Sequence, residues 1–302
     1  MSAVAGARFV DPRVLARIED LSLVARSVVQ GFVTGLHRSP YLGVSVDFAE
    51  HRAYMPGDDI LRIDWRVFAR SDRFYVKEFE ADSNANFLLL FDISRSMRFG
   101  SAGISKLDYG RYLCACLAYF ARGQRDRVGL VTFDREIVDF IPPGAKHLDV
   151  ILQRLDRLQE RQGRGELLPP LLRAAEASRR RGILVLVSDL YEEPETALRA
   201  ARALQHKGSD LIVFHLLDAA ELEFPYQEAA NYEDLETGER LPVVPAHVRE
   251  QYGRLLKQHV ESLSRLFGEN RIDYTLVDTR TPLDLALFRY LARRERVSRT
   301  RG

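Results

Sequence analysis

An aspartate and two serines at alternate positions, Asp92, Ser94 and Ser96, are the residues of this chain best suited to chemistry. A carboxylate followed by two hydroxyls gives hard oxygen donors that one tight loop can aim at a single point, which suits Mg²⁺ or Ca²⁺. The same residues fit a plainer role, in which Asp92 caps a turn and the serines bond local backbone. A second carboxylate, Asp189, follows Ser188 at the end of another apolar run, Ile183 to Val187. Two carboxylates balance the charge of one divalent ion. Asp134, Asp218 and Asp278 also follow apolar runs, and for these a turn or helix cap is the expected role.

Catalytic patterns are otherwise sparse. No Gly-x-Ser-x-Gly elbow surrounds a serine, and the seven histidines are scattered without metal-ligand spacing. There is no Gly-x-x-x-x-Gly-Lys-Ser/Thr loop, so the chain is not expected to hydrolyse ATP. A metal-dependent phosphoesterase built on Asp92 stays open as an alternative, although Ser94 stands where such enzymes place a second Asp.

The elements that must position Asp92 and Asp189 follow from the apolar pattern. Phe87 to Phe91 is an unbroken apolar run, as expected of a strand buried on both faces of a parallel sheet. Similar runs at Val128–Phe133, Ile183–Val187, Leu211–Leu217 and Ile272–Val277 alternate with helical patterns. These helices are expected near 106–122, 147–161, 167–181, 193–207 and 246–267, with another from Leu283. A short antiparallel strand is expected near 136–140. Such alternation predicts an α/β fold, a doubly wound and mostly parallel sheet flanked by helices. Ligands of such sheets sit outside the carboxyl ends of the strands.

Composition narrows the function. The 44 basic and 43 acidic residues nearly cancel, so no field favours nucleic acid or anionic lipid. No stretch approaches the roughly 20 apolar residues of a membrane span, and the opening residues lack a secretory apolar core. Cys114 and Cys116 lie two apart on a predicted helix and point in different directions, which disfavours a disulfide. A cytoplasmic protein is expected.

The first 80 residues read differently. Val14, Ile18, Leu21, Ala25 and Val28 share one helix face, with a stop expected near Gly31 or Gly35. Ile60, Ile63, Val67 and Phe68 also repeat at helical spacing, and Arg73–Phe79 resembles an edge strand. The expected organisation is an N-terminal α/β extension over 1–80 packed on a main domain over 81–302.

Residue for residue, Asp92, Ser94, Ser96 and Asp189 resemble the metal-ion-dependent adhesion site of von Willebrand factor type A domains. Upstream motifs add to this: Gly35–Leu36–His37–Arg38–Ser39, Arg52-x-Tyr54-x-Pro56–Gly57–Asp58–Asp59, Ile63–Asp64–Trp65, Ala69–Arg70 and Tyr75–Val76–Lys77–Glu78–Phe79. Together with Asp92–Gly100 they resemble the bacterial family known as domain of unknown function 58. That family usually carries a threonine in a second metal loop. Here the stretch is Gly163 to Leu172, with Gly165 in the threonine's place and Glu166 the nearest oxygen donor.

The resemblance implies a von Willebrand A-like, Rossmann-type fold and a non-enzymatic protein-interaction module. It implies Mg²⁺, or Ca²⁺ or Mn²⁺, held by Asp92, Ser94, Ser96 and Asp189, with Glu166 as a further donor. It implies a MoxR-type AAA+ ATPase as partner, in chaperone-like maturation of an unidentified client protein. Read from their types alone, His37, Arg52, Asp58, Asp59, Asp64, Trp65 and Arg70 form a dense polar and aromatic set that turn capping and intrachain ion pairs explain in large part, with partner docking at a Trp and Arg surface as the functional reading. The first alternative keeps the fold with a lapsed metal site and docks partners through that set.

Overall fold

A computed structural model describes residues 12, 20–38, 50–53, 75–78, 85–101, 103–158, 165–178, 180–205, 208–235 and 237–287, with backbone alone for 32–38, 50–53 and 75–78. Its centre is a six-stranded sheet. The strands are β3 (Asn86–Asp92), β4 (Arg127–Phe133), β5 (Ile137–Gly144), β6 (Gly182–Ser188), β7 (Asp210–Leu217) and β10 (Asp273–Asp278). They lie in the order β10-β7-β6-β3-β4-β5, all parallel except β5, which pairs antiparallel with β4. Counted along the chain this is the order 3-2-1-4-5-6 read from the β5 edge, so the direction of winding reverses between β3 and β6.

Period-two alternation makes this sheet a two-sided core. Phe87, Leu89 and Phe91 face one apolar layer with α2 (Lys106–Gly123) and α3 (Leu148–Asp156), while Leu88 and Leu90 face the other. That second layer holds α4 (Leu168–Ala177), α5 (Pro194–Gln205) and the last turns of α7 (Pro245–Glu269). Each such side chain, fully buried, contributes about 1.5–3 kcal/mol relative to leaving it in water. At Gly110 of α2 an added Cβ would strike the Phe91 ring of β3.

The strand pattern holds, and the differences lie at helix ends and in the connection to α7. Helix α1 (Leu21–Arg38) runs through both Gly31 and Gly35 instead of stopping there. It begins where Asp20 accepts from the Leu23 N–H at 3.1 Å. Packing of Leu21, Val24, Ala25, Val28 and Val29 into the α2 layer outweighs the roughly 1 kcal/mol cost of a helical glycine. Val14, Ile18 and the expected helix at Ile60–Phe68 lie outside the described residues. Helix α3 ends at Asp156 and α4 at Ala177, both short of their expected ends.

The edge strand expected at Arg73–Phe79 is β2 (Tyr75–Glu78), paired antiparallel with β1 (Glu50–Ala53). Between β7 and α7 lie a one-turn helix, α6 (Ala219–Glu223), and a hairpin of β8 (Ala230–Glu233) and β9 (Arg240–Val243), neither of which the apolar pattern signals. Among the described residues no helix is long and apolar enough to cross a membrane.

Candidate functional site

Asp92 is the last residue of β3 and Asp189 directly follows β6, so the two carboxylates flank the reversal point of the sheet. Both are buried, as are Ser94, Ser96 and Ser188. The chain turns sharply after Asp92. The Ser94 N–H donates to Asp92 Oδ1 at 2.9 Å, and a 3₁₀ turn over Arg95–Arg98 carries Ser96 back beside Ser94. The loop closes where the Lys106 N–H donates to the Phe99 carbonyl at 2.9 Å. Gly100 permits this closure, because a Cβ there would overlap the Ile104 carbonyl.

The serine and aspartate oxygens form a connected set. Ser188 Oγ donates to Asp92 Oδ2 at 2.6 Å and itself accepts from the Leu190 N–H at 3.0 Å. Ser94 Oγ and Ser96 Oγ are 3.1 Å apart. Two neighbouring ligands of an octahedral Mg²⁺ at 2.0–2.1 Å would be separated by about 3 Å, so this pair fits such an ion. Among the described residues no group of three or more His, Cys, Asp and Glu side chains could hold a metal ion. The donor set here is two carboxylates with hydroxyls.

Charge explains why a cation would be drawn here. Burial first, then the facing Asp189 carboxylate, pushes Asp92 up to about 7, against the hydrogen bonds from Ser188 and Ser94. A residue not anticipated from sequence answers part of this charge. Lys106, fully buried at the start of α2, bonds Asp189 Oδ2 at 2.8 Å and Glu221 Oε1 at 2.7 Å. Burial pulls its ammonium down, but the two carboxylates outweigh that and hold it above its ordinary value. Tyr191 closes the group, donating its hydroxyl to Glu221 at 2.7 Å and stacking its ring 4.5 Å from the ammonium. Nearby His215 stays neutral, lowered to about 3 by burial and then by His259 and Lys106. Three carboxyl groups, those of Asp92, Asp189 and Glu221, thus meet one ammonium, a surplus of acidic side chains that a divalent cation would balance.

Asp92, Ser94, Ser96, Asp189 and Glu166 all line one groove of about 1210 Å³. Glu166 is half exposed and its Oε1 pairs with Arg135 at 3.2 Å, while its backbone N–H donates to the Asp134 carbonyl. Gly165 lines the groove beside it. The other strand-terminal aspartates take the capping roles expected of them. Asp218 caps α6 in a reciprocal box with Glu221, Asp134 Oδ1 accepts from the Glu136 N–H at 3.0 Å, and Asp278 Oδ1 from the Arg280 N–H at 2.8 Å. Cys114 and Cys116 are free thiols buried in α2.

Of the expected docking set, Arg52 lies on β1 opposite Val76 and His37 on the last turn of α1, described in backbone only. Asp58, Asp59, Asp64, Trp65 and Arg70 lie outside the described residues. Lys106 was legible as a residue beginning a helix after the N-cap Ser105, but its partners are 83 and 115 residues away in sequence.

The family model described as "Protein of unknown function DUF58" matches residues 50–262. "Uncharacterized protein Rv1480" of Mycobacterium tuberculosis is 27% identical over 261 residues, covering 84% of this chain and 81% of that protein. "Uncharacterized protein Mb1516" of Mycobacterium bovis matches to the same extent, 27% over 261 residues. Among solved structures, BatB from Bacteroides thetaiotaomicron superposes with a TM-score of 0.47 at 15% identity, covering 69% of this chain and 98% of that one. The SpRpn10 VWA domain superposes with a TM-score of 0.39 at 12% identity, covering 66% and 90%.

Proposed function

Since the chain belongs to the DUF58 family, we propose that it is a non-catalytic protein-interaction module with a divalent-cation site, Mg²⁺ first, at the carboxyl edge of its sheet. The observation that carries this reading is the meeting of Asp92, Ser94, Ser96 and Asp189 at the reversal point of the strands, where the only buried ammonium among the described residues, that of Lys106, faces Asp189 and Glu221 and leaves Asp92 without a cationic partner. Asp92, Ser94 and Ser96 would hold the ion directly from one loop, with Asp189 opposite and Glu166 within the same groove. A bound ion there would supply an electrophilic position for a carboxylate of a partner protein.

The chain's own residues prepare that position. Ser188, held by the Leu190 N–H, orients Asp92, and Lys106 fixes Asp189. Resemblance to von Willebrand A-like members of the family supports a MoxR-type AAA+ ATPase as partner and a role in maturation or assembly of a client protein. A cytoplasmic setting accords with two free, buried cysteines.

Isothermal calorimetry of Mg²⁺ binding to the native protein and to Asp92→Ala tests the site. We expect saturable heat for the native chain alone, and equal heats for both would sink the reading. Co-purification with a MoxR-type ATPase tests the partner.

Lys106 favours a second reading. Its ammonium already answers Asp189 and Glu221, so the site would have lapsed as a metal centre and partners would dock through His37, Arg52, Asp58, Asp59, Asp64, Trp65 and Arg70. Absence of any Mg²⁺ heat from the native protein, with partner binding lost on Trp65→Ala, would select it.

A further inference from the structure

The groove that begins at Asp92 extends well past it, between the β8–β9 hairpin and the first half of α7. Tyr252, Leu255, Leu256 and His259, at i, i+3, i+4 and i+7 of α7, line one wall. The buried residues of α7 are Pro245 at its start and Leu263 and Phe267 in its last turns, so the stretch between them stands on the groove. Leu255 is 57% exposed. Leu241, 55% exposed, and Val243 line the groove from alternate positions of β9. These walls are held in place before anything binds. Phe224 packs against Tyr226, Tyr232 and Tyr252 with ring centroids 4.8–6.3 Å apart, pinning the hairpin to the helix.

The charge around this apolar channel has one sign. Glu192, Glu193, Glu233, Asp234 and Glu239 line it, and no lysine or arginine does so among the described residues. Glu233 is answered from outside by Arg95 and Arg240 and Glu192 accepts from the Leu167 N–H, whereas Glu193 and Glu239 have no ion-pair partner among the described residues. Two exposed leucines between unanswered carboxylates and aromatic faces fit a particular kind of occupant. Apolar anchors fill the channel while lysine or arginine side chains reach the carboxylates and tyrosine rings. The Tyr191 ring, at the cation end of the same groove, already lies against the Lys106 ammonium.

We propose that this groove binds a basic amphipathic segment of a partner protein, its apolar side chains against Leu241, Leu255 and Leu256 and its cations against Glu193 and Glu239. Shape and charge alone carry the interaction, so it stands without the divalent cation and goes beyond the role given to Asp92.

Fluorescence anisotropy on the full chain in EDTA tests it. The probe is a labelled peptide with leucines at i, i+3, i+4 and i+7 and lysines elsewhere, against a twin with glutamate for lysine. We expect the lysine peptide to bind at least about tenfold tighter than its twin, with affinity falling as salt rises. Leu255→Arg and Glu193→Lys/Glu239→Lys, at surface positions that leave the core intact by circular dichroism, are each expected to weaken it about tenfold.

Equal binding of the two peptides, or unchanged affinity in both variants, would overturn the proposal. Self-association seen by sedimentation and abolished by Leu255→Arg would also overturn it, making a second copy the occupant. Because the assay contains no free Mg²⁺, its failure leaves the cation site untouched, and loss of Mg²⁺ heat in Asp92→Ala leaves the groove untouched.

Discussion

Asp92 and Asp218 stand at the carboxyl ends of parallel strands on either side of β6, yet their carboxylates do opposite things. Asp218 accepts from the Ser101 hydroxyl and N–H, from the Ala220 N–H at 2.9 Å and from Thr279 Oγ1 at 3.0 Å. Burial alone would raise it, but these hydrogen bonds outweigh burial and hold it below the usual carboxylate range. Asp92 accepts from Ser94 and Ser188, faces a second carboxylate, and is pushed up to about 7. A strand-terminal aspartate is thus held below its usual range where local donors surround it and pushed up where it is buried facing a like charge. The strand order decides which, because only β3 and β6 bring two such ends side by side at the reversal point.

The largest effect is expected at the residue that joins the two regions. Lys106 lies between Asp189, beside Asp92, and Glu221, whose other oxygen accepts from the Asp218 N–H at 2.7 Å. Lys106→Met leaves two buried carboxylates without their cation, and we expect a loss of roughly 3–5 kcal/mol in urea denaturation. Mg²⁺ should restore part of it by binding the folded state. A loss below about 1 kcal/mol would mean that water reaches these carboxylates and that their burial is not the governing cost.

Next in size, Asp218→Ala should cost roughly 2–4 kcal/mol, since it strands the buried donors of Ala220 and Thr279 and removes the anchor of exposed Ser101. The folded carboxyl is held below its unfolded value. Its contribution is therefore present above about pH 4 and lost as pH falls through the folded pKa. The gap between native and variant stability should narrow in acid, and the Mg²⁺ heat of the variant should match the native one. A gap that widened below pH 4 would reverse the assigned sign.

This contrast was half visible in the sequence. The runs ending at Asp92 and Asp189 are pure enough to mark fully buried strands, and alternation with helices fixes their parallel sense. The caps at Asp134, Asp218 and Asp278 follow from residue type. Lys106 escaped because a lysine in the first turn of a helix reads as solvated, and only distant contacts bury it. The β8–β9 hairpin escaped because its strands, ANYE and RLPV, are only four residues long and β9 contains Pro242. A turn signal was there, since Gly238 adopts φ +74° and its N–H donates to the Asp234 carbonyl at 2.7 Å. Without the hairpin, the wall that α7 presents could not be recognised as one side of a groove.

Asp92→Ala should mirror Asp218→Ala. Removing one of two facing carboxylates relieves repulsion while losing two hydrogen bonds, so we expect stability without metal to stay within about 1 kcal/mol of native. The rise in Tm that Mg²⁺ gives the native chain should disappear. A variant as unstable as Asp218→Ala, with its Mg²⁺ response intact, would erase the distinction between the two aspartates.

The finest discrimination lies in the serines that serve each aspartate. Ser188 donates to Asp92 at 2.6 Å and Ser101 donates to Asp218, so each removal deletes one hydroxyl bonded to one carboxylate. Either alanine should cost about 1 kcal/mol of stability. If Asp92 holds a cation, Ser188→Ala should also weaken Mg²⁺ binding by about 10–100-fold, because a ligand's hydrogen-bond partner sets its orientation. Ser101→Ala should leave Mg²⁺ affinity unchanged, since Asp218 spends its charge on caps. Equal Mg²⁺ affinities in the two variants would show that Asp92 is held in place by the fold alone, and that Ser188 is one more buried hydroxyl.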